Sequence, residues 1–288
     1  MTAAATDEFA AWVGRNETIV EEIYPDRVAA MMATLDVEDT PDGAVLPAGW
    51  HWLFFNPHAS RSALGVDGHP KRGGFLPPIA LPRRMWAGGR LSYLAPLRIG
   101  AMATKSSQIL KIEQKSGQSG EMIFVTVRHV ISSRGVNCIE EEQDLVYRAA
   151  AIAGAAPARK KPAPEAPQWS EAVDPDPTLL FRYSALTFNG HRIHYDKPYA
   201  VNEEHYPDLV VQGPLTATLL QGFAGRVRPG LKLAHFQFRG VSPLFVDRPF
   251  QLEAAEVEGK PLQLSLWARG PDGELATQAV ATFARLGS

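Results

Sequence analysis

The chain has 288 residues, of which 45% are hydrophobic and 21% charged, with a net charge of −2 at pH 7. This balance is typical of a globular protein with a sizeable core and gives no reason to expect a nucleic-acid partner. No run approaches the roughly 18 apolar residues that span a bilayer, and the acidic N-terminus does not resemble a signal peptide, so we expect no membrane association. The single cysteine, Cys138, excludes an internal disulfide and favours the cytoplasm.

In the first part of the chain, apolar residues at helical spacing predict helical structure over residues 7–35, interrupted at Pro25. The aromatic run at residues 50–55 predicts a strand. Residues 56–90 predict a long loop with a basic excess, and a loop of this length inside a compact domain is usually functional or disordered. Its apolar content argues against disorder. Alternating residues and Gly-containing turns over 91–147 then predict hairpin-linked strands.

The composition changes at residues 149–172, which are rich in Ala and Pro and predict a linker. The linker divides the chain into a domain at residues 1–148 and another at 173–288. The second domain begins with a polar segment, residues 181–200, that carries Asn189, His191 and His194. A helix led by Gly-Pro is predicted to reach residue 224, followed by strands at 231–239, 249–257, 262–269 and 275–286.

An internal repeat links the two domains. Pro-Leu occurs at 96–97 and again at 243–244, and three predicted strands follow each occurrence. We therefore predict an α+β protein made of two copies of one unit, a helix wrapped by an antiparallel sheet. Pairing of the two sheets edge to edge would cover an exposed strand in each.

Residues 181–200 resemble the hydratase motif of the MaoC-like (R)-specific enoyl-thioester hydratases. That motif reads Asp-x-Asn-Pro-x-His, followed by five residues and then Ala or Ser. Asn189 stands at its Asp, His194 at its His and Ala200 at its small residue, whereas His191 and Arg192 replace its Asn-Pro. The phrase RYSALTFNGHRIHYD, together with GGFLPPIALPRRMWAGG in the first domain, is more similar to the type 2 hydroxyacyl-thioester dehydratases and to the mesaconyl- and itaconyl-CoA hydratases.

The resemblance implies a double hotdog fold and the reversible hydration of an enoyl-CoA thioester, without a cofactor or a metal. It implies three catalytic groups: His194 as general base and acid, Asn189 at the water, and the backbone N–H of Gly213 as donor to the thioester oxygen. An amide cannot take up a proton at neutral pH, so Asn189 could only orient the water. The first domain would be a non-catalytic half that shapes the acyl pocket.

The expected substrate is an acyl-CoA with a short branched dicarboxylic acyl group, such as mesaconyl- or itaconyl-CoA. Arginine binds carboxylate and phosphate well, and the predicted substrate contacts are Arg83, Arg84, Arg90 and His191. We also expect a homodimer or a higher homo-oligomer. Two alternatives stay open: a hotdog thioesterase, although residues 213–224 lack the acidic residue such enzymes use, and a non-catalytic acyl-CoA-binding subunit, since Asn189 replaces an acid.

Overall fold

The computed structural model describes residues 7–38, 44–117, 120–150 and 160–285. Its centre is one antiparallel sheet. The strands in chain order are β1 (Asn16–Glu22), β2 (Arg83–Tyr93), β3 (Met102–Gly117), β4 (Gly120–Ser133), β5 (Val136–Arg148), β6 (Trp169–Val173), β7 (Leu231–Gly240), β8 (Phe250–Val257), β9 (Lys260–Arg269) and β10 (Leu275–Arg285). The α-helices are α1 (Pro25–Leu35), α2 (Pro177–Leu186), α3 (Lys197–Asn202) and α4 (Gly213–Val227), with short 3-10 helices at Asp7–Trp12, Trp50–Leu53, Arg61–Ala63 and Arg192–His194.

The strand order shows the predicted repeat. It runs β1-β3-β4-β5-β2-β7-β10-β9-β8-β6, so five strands of one half meet five strands of the other at β2 and β7. Matching hydrogen bonds follow the Pro-Leu repeat, because Leu46 N donates to Leu97 O at 2.8 Å and Val211 N donates to Leu244 O at 2.9 Å. The double hotdog architecture and the edge-to-edge pairing are therefore confirmed.

The two halves approach closely where β2 pairs with β7, from Gly88↔Arg239 to Ser92↔His235. A Cβ atom on Gly88 would lie 2.5 Å from the carbonyl oxygen of Phe238. Arg90 pairs with Gln237, the residue at the corresponding position of the repeat, so the local two-fold axis passes through this pair. The junction is thus a continuous sheet that requires glycine at its closest point.

The halves differ at the element that precedes this junction. In the second half it is the 15-residue helix α4, which buries Leu215, Leu220 and Phe223. In the first half the corresponding position carries only the 3-10 helix Trp50–Leu53. The strand predicted for residues 50–55 is therefore wrong. All six side chains are buried, which a strand with one solvent-facing side could not achieve.

Other local predictions also need correction. Residues 16–22, predicted as helical, form β1, and Pro25 begins α1 because proline is well suited to the first helical position. The long loop ends at residue 82, since Arg83 and Arg84 already belong to β2. Its apolar residues pack with β3–β5 in a separate cluster that includes Phe75, Leu76 and Ile79.

The segment between the halves is described only in part. Residues 151–159 of the predicted linker lie outside the described residues. Residues 169–172, which the sequence placed in the linker, belong to β6, and β6 pairs with β8 from Trp169↔Ala254 to Val173↔Phe250. Within the described ranges, every helix is too short or too polar to cross a membrane.

Candidate active site

His194 lies at the end of the 3-10 helix Arg192–His194 and is buried. Its Nδ1 is 2.7 Å from the carbonyl oxygen of Val210, while Val210 N donates to Ile193 O at 2.9 Å. A carbonyl oxygen only accepts, so Nδ1 carries the proton and Nε2 keeps the lone pair. Burial lowers the pKa of His194 to about 4 from an ordinary 6.5, so the ring is neutral at pH 7.

Gly213 lies three residues after Val210 and begins α4, with Pro214 in its first turn. Backbone N–H groups in the first turn of a helix have no partner within the helix, and the helix dipole favours negative charge there. The N-terminal end of α4 is fixed by the buried Gln212, whose Nε2 donates to Leu180 O and Ser184 Oγ, both at 2.9 Å. The polar loop and the helix N-terminus are thus held together through α2.

Asn189 follows α2 and is half-buried. Its Oδ1 accepts a hydrogen bond from His191 N at 3.1 Å, and its own N–H donates to Ser184 O at 2.8 Å. This is an Asx turn, in which the side chain mimics a backbone turn. The amide group Nδ2 is therefore the part of the side chain that is left to act on a substrate or water.

A loop of the first half packs against these residues. Asp67 O accepts from Arg192 N at 2.9 Å, and Val66 O accepts from Arg192 Nη1 at 3.0 Å. Gly68, with φ +86°, lies so close to Gly190 that a Cβ atom would be 1.9 Å from the Gly190 oxygen. Glycine is required at residue 68 for both the backbone conformation and the close contact.

This docked loop places an aspartate and a histidine beside the candidate catalytic residues. Asp67 Oδ2 is 3.1 Å from His69 Nδ1, and Asp67 Oδ1 accepts from His69 N at 3.0 Å. The His69 and His191 rings are 4.2 Å apart between centroids, and the His191 and His194 rings are 5.4 Å apart. Three imidazoles from both halves of the chain therefore form one cluster.

Burial controls the charge of this cluster. It lowers the pKa of His191 to about 2, with a contribution from neighbouring His69, and it also lowers the pKa of His69, although Asp67 partly opposes that shift. Burial alone would raise the pKa of Asp67, but its hydrogen bonds from His69 keep that pKa below the ordinary value. At neutral pH the cluster is a carboxylate beside neutral imidazoles.

Asp67, His69 and His191 each offer one donor atom, and these atoms lie within 4.8 Å of one another, a spacing that a metal ion could bridge. The surroundings do not favour a cation. Both carboxylate oxygens of Asp67 already accept from His69, and the positive charges of Arg72 and Arg84 lower the pKa of His69. We therefore interpret Asp67 and His69 as a hydrogen-bonded pair.

The three predicted arginines lie in different surroundings. Arg83 contacts Glu204 at 2.7 Å and lies over the Tyr206 ring, and Arg90 contacts Glu142 and Asp144 at 2.9 and 2.7 Å. Arg84 is half-buried, and its charge lowers the pKa of His69 and His191. Among the described residues, no carboxylate forms an ion pair with Arg84.

A surface cleft of about 380 Å³ lies beside the docked loop, between the two halves. Both halves line it, with residues that include Val66, Arg83, Arg192, Tyr199 and Glu204. His194 does not line this cleft. Arg83 and Arg192 in its wall are each paired with an acidic residue.

The sequence identified His194, Asn189, His191 and Gly213, and the structure brings these four residues into one region. It did not identify Asp67, His69 or Gln212 as part of the site. Asp67 and His69 are separated from His191 by more than a hundred residues, and the sequence shows no motif that joins them. The only available signal was the length of the loop at residues 56–90, which indicates function without naming a residue.

The chain is similar in sequence to known proteins. A sequence model of the family "Hydroxyacyl-thioester dehydratase type 2" matches residues 49–246. The chain is 47% identical to the mesaconyl-C(4)-CoA hydratase of Chloroflexus aurantiacus over 277 residues, which is 94% of this chain and 96% of the relative. It is 31% identical to the mitochondrial hydroxyacyl-thioester dehydratase type 2 of Schizosaccharomyces pombe, covering 73% of this chain and 78% of the relative.

Solved structures are similar in fold at low sequence identity. A MaoC-like dehydratase superposes with a TM-score of 0.71 at 13% identity, covering 96% of this chain and 99% of that structure. A Mycobacterium tuberculosis protein with a double hotdog fold superposes with a TM-score of 0.55 at 13% identity, covering 98% and 99%.

Proposed function

Because the chain belongs to the hydroxyacyl-thioester dehydratase type 2 family, we propose that it is a hydro-lyase that hydrates an enoyl-CoA thioester and catalyses the reverse dehydration. The observation that carries the proposal is the placement of His194. A neutral imidazole is oriented by the carbonyl oxygen of Val210, three residues before α4 begins at Gly213. A base for water and a donor for the thioester oxygen are two of the groups that the reaction needs.

Hydration places OH on the β-carbon and a proton on the α-carbon. In the proposed mechanism, His194 Nε2 takes a proton from water as its oxygen attacks the β-carbon. Negative charge then develops on the thioester oxygen, where the N–H of Gly213 and the dipole of α4 stabilise it. Asn189 Nδ2 holds the water in line. The proton that His194 has taken up is then delivered to the α-carbon, which completes the addition and returns His194 to its neutral form. These roles for His194, Gly213 and Asn189 are part of the proposal.

The proposed substrate is an acyl-CoA whose acyl group carries a second carboxylate. Arg84 is the best candidate to bind that carboxylate, because its charge lies near His69 and His191 and no acidic residue of the described structure neutralises it. Arg83 and Arg90 could bind it only by leaving an acidic partner. His191, buried between His69 and His194, stays a predicted substrate contact.

The cellular setting also belongs to the proposal. Cys138, the sole cysteine, is buried and free, as expected in the reducing cytoplasm. We propose a homodimer or higher homo-oligomer, which size-exclusion chromatography with light scattering would test. A monomer at all concentrations would contradict that part alone.

The direct test is an assay of purified protein with mesaconyl-, itaconyl- and crotonyl-CoA. Absorbance of the enoyl thioester and release of free thiol are followed together. Loss of the enoyl band without thiol is the expected result. Release of thiol would identify a thioesterase, and no change with any substrate would identify a binding protein.

His194→Ala should lower kcat by at least about 10²-fold, because the variant has no group to take the proton from water. The measurement is the hydration rate at saturating substrate, with circular dichroism to check folding. A folded variant that keeps more than about half the activity would refute the assignment.

Arg84→Met should raise KM for mesaconyl-CoA by about tenfold or more and leave KM for crotonyl-CoA unchanged, because only the first substrate has the second carboxylate. Arg128→Met is the matched control, since Arg128 lies in the same sheet and contacts Glu140 at 3.1 Å. Equal effects of Arg84→Met on both substrates would remove the basis for carboxylate binding.

A further inference from the structure

Hydration needs two proton transfers, one from water and one to the α-carbon, and Asn189 cannot carry a proton. We infer that His69, oriented by Asp67, is the second proton-transfer residue of the site, and that the first half of the chain therefore contributes to catalysis. This inference rests on the proposed hydratase function. It changes the expected role of the first half from shaping the pocket to supplying a reacting group.

The first argument is the hydrogen bonding of His69. A carboxylate only accepts, so the contact between Asp67 Oδ2 and His69 Nδ1 fixes the proton on Nδ1. The lone pair is then on Nε2, as it is in His194, whose Nδ1 donates to Val210 O. The cluster thus holds two histidines in the tautomer that can accept a proton at Nε2. A carboxylate behind the imidazole also stabilises the protonated ring that forms during transfer.

The second argument is position. The His191 ring contacts both the His69 ring and the His194 ring, at centroid distances of 4.2 and 5.4 Å. The loop that carries His69 is fixed on the other half by the bond from Arg192 N to Asp67 O and by the contact of Gly68 with Gly190. The pair is therefore held against the candidate catalytic loop and is not a surface pair that happens to lie nearby.

The proton balance is as follows. His194 takes one proton from water as the C–O bond forms at the β-carbon and the C=C electron pair moves towards the thioester. That proton passes from His194 to Nε2 of His69 through the cluster or through water. Protonated His69 then gives it to the α-carbon, which completes the C–H bond and returns both histidines to the neutral form. Dehydration runs the same steps backwards, with His69 removing the α-proton.

The test compares the wild type with His69→Ala, His69→Gln and Asp67→Asn on mesaconyl-CoA. His69→Ala should lower kcat by about 10²-fold with little change in KM, and Asp67→Asn should give a smaller loss, because it leaves the imidazole but removes its carboxylate. Free imidazole should raise the hydration rate of His69→Ala at least about tenfold above the rate of the same variant without imidazole. His235→Gln, an exposed histidine on β7, is the control and should retain wild-type rates.

Several results would overturn the inference. One is a His69→Ala variant that keeps more than half the wild-type kcat. A second is a loss of kcat in His69→Ala that added imidazole does not reduce. A third is a large fall in the melting temperature of both His69 variants along with the loss of kcat. Either result would indicate a structural role for His69. Loss of wild-type activity with a chelator, restored by a divalent metal, would instead assign Asp67, His69 and His191 to a metal site. A wild-type protein that is inactive on every enoyl-CoA would refute the proposed function itself. The role of His69 is judged separately, from the difference between the wild type and the His69 variants.

Discussion

At the scale of single residues, the amide of Asn189 has two ends with different uses. Oδ1 accepts from His191 N and so shapes the loop, whereas Nδ2 is the end that we propose holds the water. Asn189→Asp keeps the acceptor and should stay folded, and we expect it to retain measurable activity with a shifted pH optimum. Asn189→Ala removes both Oδ1 and Nδ2 and should lose more activity than Asn189→Asp does. The pH–rate profiles of the two variants provide the measurement, and an inactive Asp variant beside an active Ala variant would contradict the role in holding water.

Buried neutral histidines predict a loss of stability in acid. Burial lowers the pKa of His129 and His194 to about 4, whereas both would titrate near 6.5 in the unfolded chain. Between these values the unfolded state binds more protons than the folded state. The contribution of these two histidines to the unfolding free energy should therefore be constant above about pH 6.5 and fall as the pH drops towards 4, by up to about 1.4 kcal/mol per pH unit for each histidine.

Urea unfolding at pH 7 and pH 5 measures this effect. His129→Gln removes one titrating group without altering the candidate site, so the variant should lose less stability between the two pH values than the wild type does. Glu141, next to His129, titrates in a lower range because its pKa is held near 2. An unchanged pH dependence in the variant would show that His129 is not a source of the acid sensitivity.

The residues of the site were predictable only where the chain keeps them close together. Asn189, His191 and His194 lie within six residues, and Gly213 is marked by Gly-Pro at a helix start. Asp67 and His69 meet them through a tertiary contact between two glycines, which no local pattern encodes. The three arginines looked alike in the sequence, and only their partners in the structure separate Arg84 from Arg83 and Arg90.

At the scale of elements, docking of the loop on residues 190–192 should depend on Gly68. Gly68→Ala places a methyl group against the Gly190 oxygen, so we expect displacement of Asp67 and His69 and a fall in kcat of at least about tenfold. Gly73→Ala is the matched control. It has a similar φ of +91°, but its Cβ would meet only Pro78, at 3.7 Å. Hydration rates and melting temperatures of both variants distinguish loss of the contact between Gly68 and Gly190 from backbone strain. Equal losses in Gly68→Ala and Gly73→Ala would argue against a role for that contact.

Strands β7 to β10 were predicted to within two residues at each end, because glycines mark the turns that separate them. The residues at 50–55 were not, because aromatic composition favours a strand whatever the backbone does. Their burial decides the outcome: Gly49, with φ +83°, turns the chain into a short 3-10 helix that inserts Trp50 and Trp52 into the core. β-propensity is a weak guide at a position that is surrounded on all sides.

At the scale of the whole molecule, the repeat and the sheet junction predict that the halves assemble without a covalent link. The division belongs between residues 150 and 160, because Lys160 contacts Asp272 and Glu274 of the second half at 2.8 and 2.9 Å. Co-expressed fragments on either side of this division should copurify and hydrate substrate. Each fragment alone should be inactive, since β2 and β7 would lose their pairing with each other and each fragment would contain only one of His69 and His194.

Copurification and hydration assays of the fragments provide the measurement. An active, soluble second fragment would show that the first half supplies neither pocket nor proton carrier.

The overall architecture could be predicted because the Pro-Leu repeat and the strand count are local properties of the sequence. The inequality of the halves could not be predicted, because it depends on how residues 50–82 pack in the folded chain.

The unequal halves have a consequence for how such a site can change over time. In a dimer of identical hotdogs, any mutation in a loop appears at both sites, so a loop cannot be improved for one task without altering the other. Once two copies are fused in one gene, each drifts separately. Here one copy retains the long helix and the histidine motif, while the other has a shortened helix and an extended loop that reaches its neighbour. Variation in residues 56–82, outside Asp67, Gly68 and His69, should therefore suffice to retune which substrates are accepted, while α4, which is proposed to bind the thioester, stays fixed.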